Sequence, residues 1–312
     1  MNYSRIDKVM NLQLGGNLMS DYLIKGLAHD GQFRVYAVNA TEAVSEAQRR
    51  HDTWSASSAA LGRTMVGSIL IATTGLKDDQ KMTVMINGDG LGGRIMADAN
   101  GKGDIKAYIQ NPQVSLPLND NGKLDVRSVV GTQGTLTVVK DLGLKEPFSG
   151  QVPIINGELG EDFTYYMAKS EQIPSAIGLS VLVDTDDSIK VAGGFMIQVM
   201  PGASDEIISE VEKTIAELPL VSRMMENGET PEDVLERIIG KEHIKYLEKM
   251  PVQFKCDCSH ERFKEGLAAI GKDELEAMIS EDHGAEVVCQ FCGEAYHYSE
   301  NELEALVVDA QK

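Results

Sequence analysis

Apolar positions along the chain follow three successive patterns. Helical spacing comes first. Thr41 is suited to an N-cap, and a helix is predicted from there through 42–50, then a second over 55–71. The second mixes Ala56, Ser57, Ser58, Ala59, Ala60, Gly62, Gly67 and Ser68 with Leu61, Met65, Val66, Ile69 and Leu70. Small side chains let a helix approach its neighbours closely, so this one reads as central and buried. From Lys81 to about Lys140 the pattern becomes short apolar runs, at 82–86, 94–97, 105–109 and 136–139. The turns between them carry Asn87-Gly88, Asn100-Gly101 and Asn121-Gly122, dipeptides that favour hairpins. A further helix is predicted over 158–169 and strands over 176–183 and 189–200. Residues 1–201 are thus expected to form an α+β core domain, a mainly antiparallel sheet with packed helices.

The third pattern begins after Pro201-Gly202. Residues 204–240 read as helical and amphipathic, with Ile207, Ile208, Val211, Ile215 and Leu218 on one face. Thr230-Pro231-Glu232-Asp233 has the N-cap, first-turn proline and acid of a helix start. With only narrow apolar stripes, 202–250 cannot build a core and must dock elsewhere, as a helical linker. Residues 251–312 form a small last unit, in which Ser299-Glu300-Asn301-Glu302 is a capping box ahead of Leu303, Leu306 and Val307.

Size and charge sharpen this division. The chain has 312 residues, enough for two domains of ~150. Its net charge of −19 is uneven. Residues 1–200 hold 22 acidic and 18 basic side chains, and 201–312 hold 26 and 11. Such acidity repels phosphate backbones, so no nucleic-acid partner is expected. The start, Met1-Asn2-Tyr3-Ser4-Arg5-Ile6-Asp7-Lys8, has no apolar targeting region. The uncharged stretch 64–76 is shorter than the ~20 residues of a membrane span. The expectation is a cytoplasmic protein without a membrane partner, whose thiols are kept reduced.

Four cysteines then change the picture, because all of them fall between Cys256 and Cys292. Cys256-Asp257-Cys258 is followed, thirty residues on, by Cys289-Gln290-Phe291-Cys292. Two close thiolate pairs suit a tetrahedral Zn²⁺ site with all four positions filled. The first pair is tighter and the gap longer than in common zinc ribbons, and Gly293 suits a knuckle turn. His260 and His297 lie nearby, but the tetrahedron is full without them; His29, His51, His243 and His283 have no ligand spacing. The bland reading is a zinc staple for a unit too small to fold alone. The sharper reading is a switch. Oxidising the ligands would remove on the order of 10 kcal/mol of folding free energy from a unit with 14 acidic and 5 basic residues in 251–312.

Other motifs carry less. Cys289-x-x-Cys292 alone would suit a thiol oxidoreductase, but Phe291-Cys292-Gly293-Glu294-Ala295-Tyr296 reads as turn and strand, where that motif should open a helix. Gly88-Asp89-Gly90-Leu91-Gly92-Gly93 matches the dinucleotide-binding spacing, yet a strand follows it, so it is read as a hairpin loop. Met196, Met200, Met224, Met225 and Met250 gather around the helical segment and are read as core packing before promiscuous apolar binding. No nucleophile triad or carboxylate pair stands out, and no enzyme activity or catalytic residue is expected.

With the cysteine quartet, a second stretch completes a resemblance. Tyr165-Tyr166, Ser170-Glu171-Gln172-Ile173-Pro174-Ser175-Ala176 and Ala192-Gly193-Gly194-Phe195-Met196-Ile197-Gln198-Val199-Met200-Pro201 are similar to the core signature of the redox-regulated bacterial heat-shock chaperones of the 33 kDa class. The resemblance covers essentially the whole chain. It implies an inactive, reduced monomer with one Zn²⁺ on Cys256, Cys258, Cys289 and Cys292. It implies oxidation to Cys256–Cys258 and Cys289–Cys292 disulfides with zinc release, loss of structure in the last unit and linker, and dimerisation. The active form would be an ATP-independent holdase for unfolding client proteins. The alternative is a constitutive zinc-stapled protein-binding module, which zinc loss would inactivate.

Overall fold

The computed structural model describes residues 21–119 and 122–309. The chain's first residues, 1–8, and Asn121 of the third turn dipeptide lie outside the described residues. The strands are β1 (Tyr22–Ala28), β2 (Phe33–Asn39), β3 (Lys81–Gly88), β4 (Ile95–Asn100), β5 (Asp104–Ile109), β6 (Gly134–Asp141), β7 (Phe148–Pro153), β8 (Ser175–Val183), β9 (Ile189–Val199), β10 (Ile244–Pro251), β11 (Gln253–Phe254), β12 (Gly284–Val288) and β13 (Ala295–Ser299). The helices are α1 (Thr41–His51), α2 (Ser55–Gly75), α3 (Val126–Val130), α4 (Gly160–Tyr166), α5 (Asp205–Glu217), α6 (Val221–Glu226), α7 (Pro231–Ile239), α8 (His260–Ala268), α9 (Lys272–Ala277) and α10 (Glu300–Asp309). The α+β class expected from the sequence holds.

Two larger sheets run in the orders β10-β1-β2-β9-β8 and β11-β5-β4-β3-β6-β7, with β12-β13 a separate hairpin. All pairings are antiparallel except β11 with β5. Helix α2 lies between the two larger sheets and is buried along nearly its whole length. Its small residues make that possible. A Cβ built on Gly67 would sit 2.5 Å from Phe163 Cε2, a ring of α4 with no exposure. Gly67→Val is therefore expected to destabilise the core by about 3 kcal/mol, the upper end for overpacking. Thermal unfolding of the reduced chain checks this, and an unchanged midpoint would show that α2 has room to spare.

The five-stranded sheet is covered on both faces. Leu23, Tyr36, Val38 and Met196 face α2. On the far side Ile24, Phe33, Val35, Phe195 and Ile197 pack against Val211 of α5, Val221 and Met224 of α6 and Val234, Leu235 and Ile238 of α7. Strand β9 is consequently buried almost end to end, as a doubly covered strand must be. In contrast, β3 and β4 alternate buried and half-buried positions, one face on α2 and one wet. The last unit has a small core of Leu267, Leu275, Tyr298, Leu303 and Leu306.

Several expectations need correction. The helical linker predicted over 202–250 is helical only to Ile239. Residues Ile244–Pro251 form β10, paired with β1, and β11 joins β5. β10 is mostly exposed, so its strand state comes from edge hydrogen bonds that leave no apolar alternation to read. Thr41 is the first residue of α1, not its cap. The Glu42 and Ala43 N–H groups donate to the Asp21 carboxylate, at 3.1 and 2.7 Å, from a residue twenty positions upstream. The glycine-rich loop after β3 leads into β4, as read. There the N–H groups of Gly90, Leu91 and Gly92 donate to carbonyls of Val130, Ser128 and Val129 at 3.2, 3.0 and 2.8 Å, so α3 uses the donors a pyrophosphate would need. Met196, Met224 and Met250 are buried core residues.

Candidate metal centre

Two loops build the site. The first runs from β11 to α8 and carries Cys256 and Cys258. Lys255 N donates to Ile105 O at 2.9 Å, which ties this loop to β5. Ser259 then ends it by capping α8, its hydroxyl accepting from Arg262 N at 3.2 Å. The second loop joins β12 to β13. Gly293 N donates to Cys289 O at 2.8 Å and Cys289 N to Glu294 O at 2.9 Å, a tight knuckle that takes Gly293 to a φ of 74°.

The loops bring all four predicted cysteines together. Their Sγ atoms lie within 4.8 Å of one another, and all four are free thiols. Cys256 and Cys289 approach to 3.7 Å and Cys258 and Cys292 to 3.4 Å. A tetrahedral zinc with Zn–S of ~2.3 Å requires sulfur–sulfur edges of about 3.8 Å, so the quartet has the size of a four-thiolate metal site. Cys289 and Cys292 are buried, whereas Cys256 and Cys258 are half-buried. His260 stacks on Tyr298 at 4.2 Å, and His297 faces Glu286 at 3.3 Å. Neither joins the metal-competent group found among the described residues.

The thiols do not titrate alike. Burial pushes Cys256 up to about 11 and raises Cys292 as well. Burial also opposes ionisation of Cys258, but the Tyr296 hydroxyl at 3.2 Å and the neighbouring thiols outweigh it and bring Cys258 below its ordinary value. A metal must therefore displace protons to bind here, and its affinity falls as pH falls.

The sequence reading missed the groups that seat this site on the core. Arg50 Nη1 donates to Cys292 O at 3.0 Å, and His51 Nε2 to Phe291 O at 3.0 Å, both from the end of α1. Burial holds the His51 imidazole below its ordinary value despite that carbonyl. Asp257 pairs with Lys106 of β5 at 2.5 Å and Lys81 of β3 at 2.7 Å. Those two ammonium groups hold its carboxyl well below the usual carboxylate range. Lys106 also lies 4.9 Å from the Phe291 ring centroid, and Tyr108 meets that ring edge-on at 5.3 Å. The sequence signal was position alone: Asp257 and Phe291 stand between the cysteines of a pair.

A family described as Hsp33 protein matches residues 21–299. The chain belongs to the Hsp33 family. The 33 kDa chaperonin of Enterococcus faecalis is 63% identical over 285 residues, covering 91% of this chain and 95% of that protein. The 33 kDa chaperonin of Levilactobacillus brevis is 56% identical, covering 94% and 99%. The crystal structure of the Thermotoga maritima 33 kDa chaperonin, a heat shock protein 33 homologue, superposes with a TM-score of 0.86 at 40% identity, covering 93% of this chain and 98% of that one. Membership of this chaperone family and the four-cysteine cluster agree with the resemblance carried by the two motif regions. Among the described residues, no helix is long and apolar enough to cross a membrane.

Proposed function

We propose that this Hsp33-family chain is a redox-regulated, ATP-independent holdase. Cys256, Cys258, Cys289 and Cys292 hold one Zn²⁺ in the reduced, inactive monomer. Zinc bound there supplies cross-links that keep residues 251–312 folded. On exposure to peroxide each pair gives up two electrons. One S–S bond forms per pair, the O–O bond of one peroxide breaks, and its two oxygens take up two protons from solvent and leave as two waters. The pairs are Cys256 with Cys258 and Cys289 with Cys292. The sulfur approaches of 3.7 and 3.4 Å run between the pairs; the pairing within them rests on the family resemblance and is checked by peptide mapping of the oxidised chain. The oxidised sulfurs no longer offer thiolates and release the ion.

The observation that carries this reading is the apolar face under α5–α7. The three helices cover Phe33, Val35, Phe195 and Ile197, and the chain leaving them passes through β10 and β11 straight to Cys256. Loss of the cysteine unit frees one end of this cover. A segment held by one narrow apolar face belongs to the least stable part of a fold. Its release uncovers a sheet face to which unfolding clients bind, and the exposed face also supports dimerisation. The division is core 1–201, linker 202–250 and switch unit 251–312, with 244–250 contributing a strand to the core. A site kept reduced until oxidant arrives suits the cytoplasm, where thiols stay reduced.

The sign of the redox effect tests the proposal. Client aggregation is followed by light scattering with zinc-loaded reduced chain and with chain treated with peroxide at raised temperature. Suppression is expected only after oxidation. Suppression by the reduced form that is lost with zinc would establish a constitutive zinc-stapled module instead.

A further inference from the structure

Among the core groups that meet the cysteine unit, one buried ammonium contacts both of its loops. Lys106 is only 8% exposed and sits on β5 next to Ile105, whose carbonyl holds the first cysteine loop through Lys255 N. Its Nζ bonds Asp257, the residue between Cys256 and Cys258, and lies over the ring of Phe291, between Cys289 and Cys292. Asp98 of β4 stands farther off, at 3.8 Å. Lys106 thus touches a residue inside each cysteine pair, and its contacts with Asp257 and Phe291, unlike the one with Asp98, are in place only while the two loops stay together.

We propose that Lys106 is the positioning residue that docks the cysteine unit on the core and passes its state to β5 and β11. The redox part of this inference rests on the function proposed above. Without the two loops the ammonium keeps Asp98, at 3.8 Å, but loses its closest carboxylate and its aromatic cover. The loop that follows β11 then loses its buried charged contact with β5, and the short edge pairing of β11 with β5 loses that support. β10 and the helical cover precede β11 in the chain. Arg50 and His51 bond carbonyls of the second loop, and Arg50 also lies 5.3 Å from the Phe254 ring centroid on β11, but neither pairs with Asp257 between Cys256 and Cys258. Lys81 reaches Asp257 from an exposed position, where an ion pair contributes little.

The test uses the full chain, reduced and zinc-loaded, with Lys106→Met, Lys106→Arg and Asp257→Asn. Hydrogen exchange is measured across 244–259, zinc retention under a competing chelator, and client protection without oxidant. Lys106→Met is expected to keep its zinc, to exchange at 253–259 about tenfold faster or more, and to protect clients partly without peroxide. Lys106→Arg retains charge and ring contact and is expected to restore the parental pattern. Asp257→Asn, changed at a half-exposed partner, is expected to loosen the same segment and covers the case in which Lys106→Met does not fold. Parental exchange in both Lys106→Met and Asp257→Asn overturns the inference. So does loss of zinc in Lys106→Met, which would make Lys106 a support of the metal site itself. If the parent is not activated by peroxide, the proposed function fails while the exchange result still decides the docking role.

Discussion

Replacing Cys292 with serine is expected to lower zinc affinity by roughly a hundredfold or more and to unfold the last unit in reducing buffer. Structural zinc sites contribute about 10–16 kcal/mol in total, so one of four thiolates carries about 3 kcal/mol, or a factor of ~100. Cys292 is buried and lies 3.4 Å from Cys258, where the shorter serine side chain cannot replace a thiolate bond. The small core around Leu267, Leu275, Tyr298, Leu303 and Leu306 does not compensate. Competition with a chromogenic chelator measures the affinity, and hydrogen exchange over 256–309 measures the unfolding. Zinc retained at parental affinity, with exchange unchanged, would remove Cys292 from the ligand set.

The second large effect is expected at Leu235. This side chain of α7 has no exposure and sits in the cluster between the helical cover and the five-stranded sheet. Truncation of a fully buried leucine to alanine costs about 2–5 kcal/mol. A loss of that size falls on a segment whose attachment is one apolar stripe. Leu235→Ala is therefore expected to expose the sheet face in the reduced, zinc-loaded chain and to give client protection without oxidant. Binding of a hydrophobic dye and light scattering check both consequences. Lys213→Ala, at an exposed position of α5, is the control and is expected to stay within about 0.5 kcal/mol of the parent. A Leu235→Ala chain that remains silent until oxidised would place client binding away from this face.

How much of this was legible in the sequence depended on what each residue's environment leaves in the chain's pattern. Strands β3 to β6 were readable because one face is dry and one wet, which writes alternation into the sequence. Helix α2 was readable from its density of small residues, which serve the approach to Phe163 and the flanking strands. Strands β1 and β2 carry no such alternation, because sheet and helices cover them on both faces. β10 was hidden for the opposite reason: it is a charged, exposed edge strand defined by its pairing with β1. At the site, the four-cysteine cluster was legible, since four thiols in two close pairs admit few other uses. The seat was not. Arg50, His51 and Lys106 reach the cysteine loops from residues more than a hundred positions away, and only the fold brings them there.

On the proposed function, oxidation of the cysteine site releases the helical cover and thereby creates the client-binding state. Hydrogen exchange of 205–239 during peroxide treatment tests it most directly, with zinc release and client protection read on the same sample. The account predicts that zinc is released first, that protection of α5–α7 is then lost, and that client aggregation falls in step with that loss. Client protection appearing while α5–α7 remain as slow to exchange as in the reduced chain would contradict it.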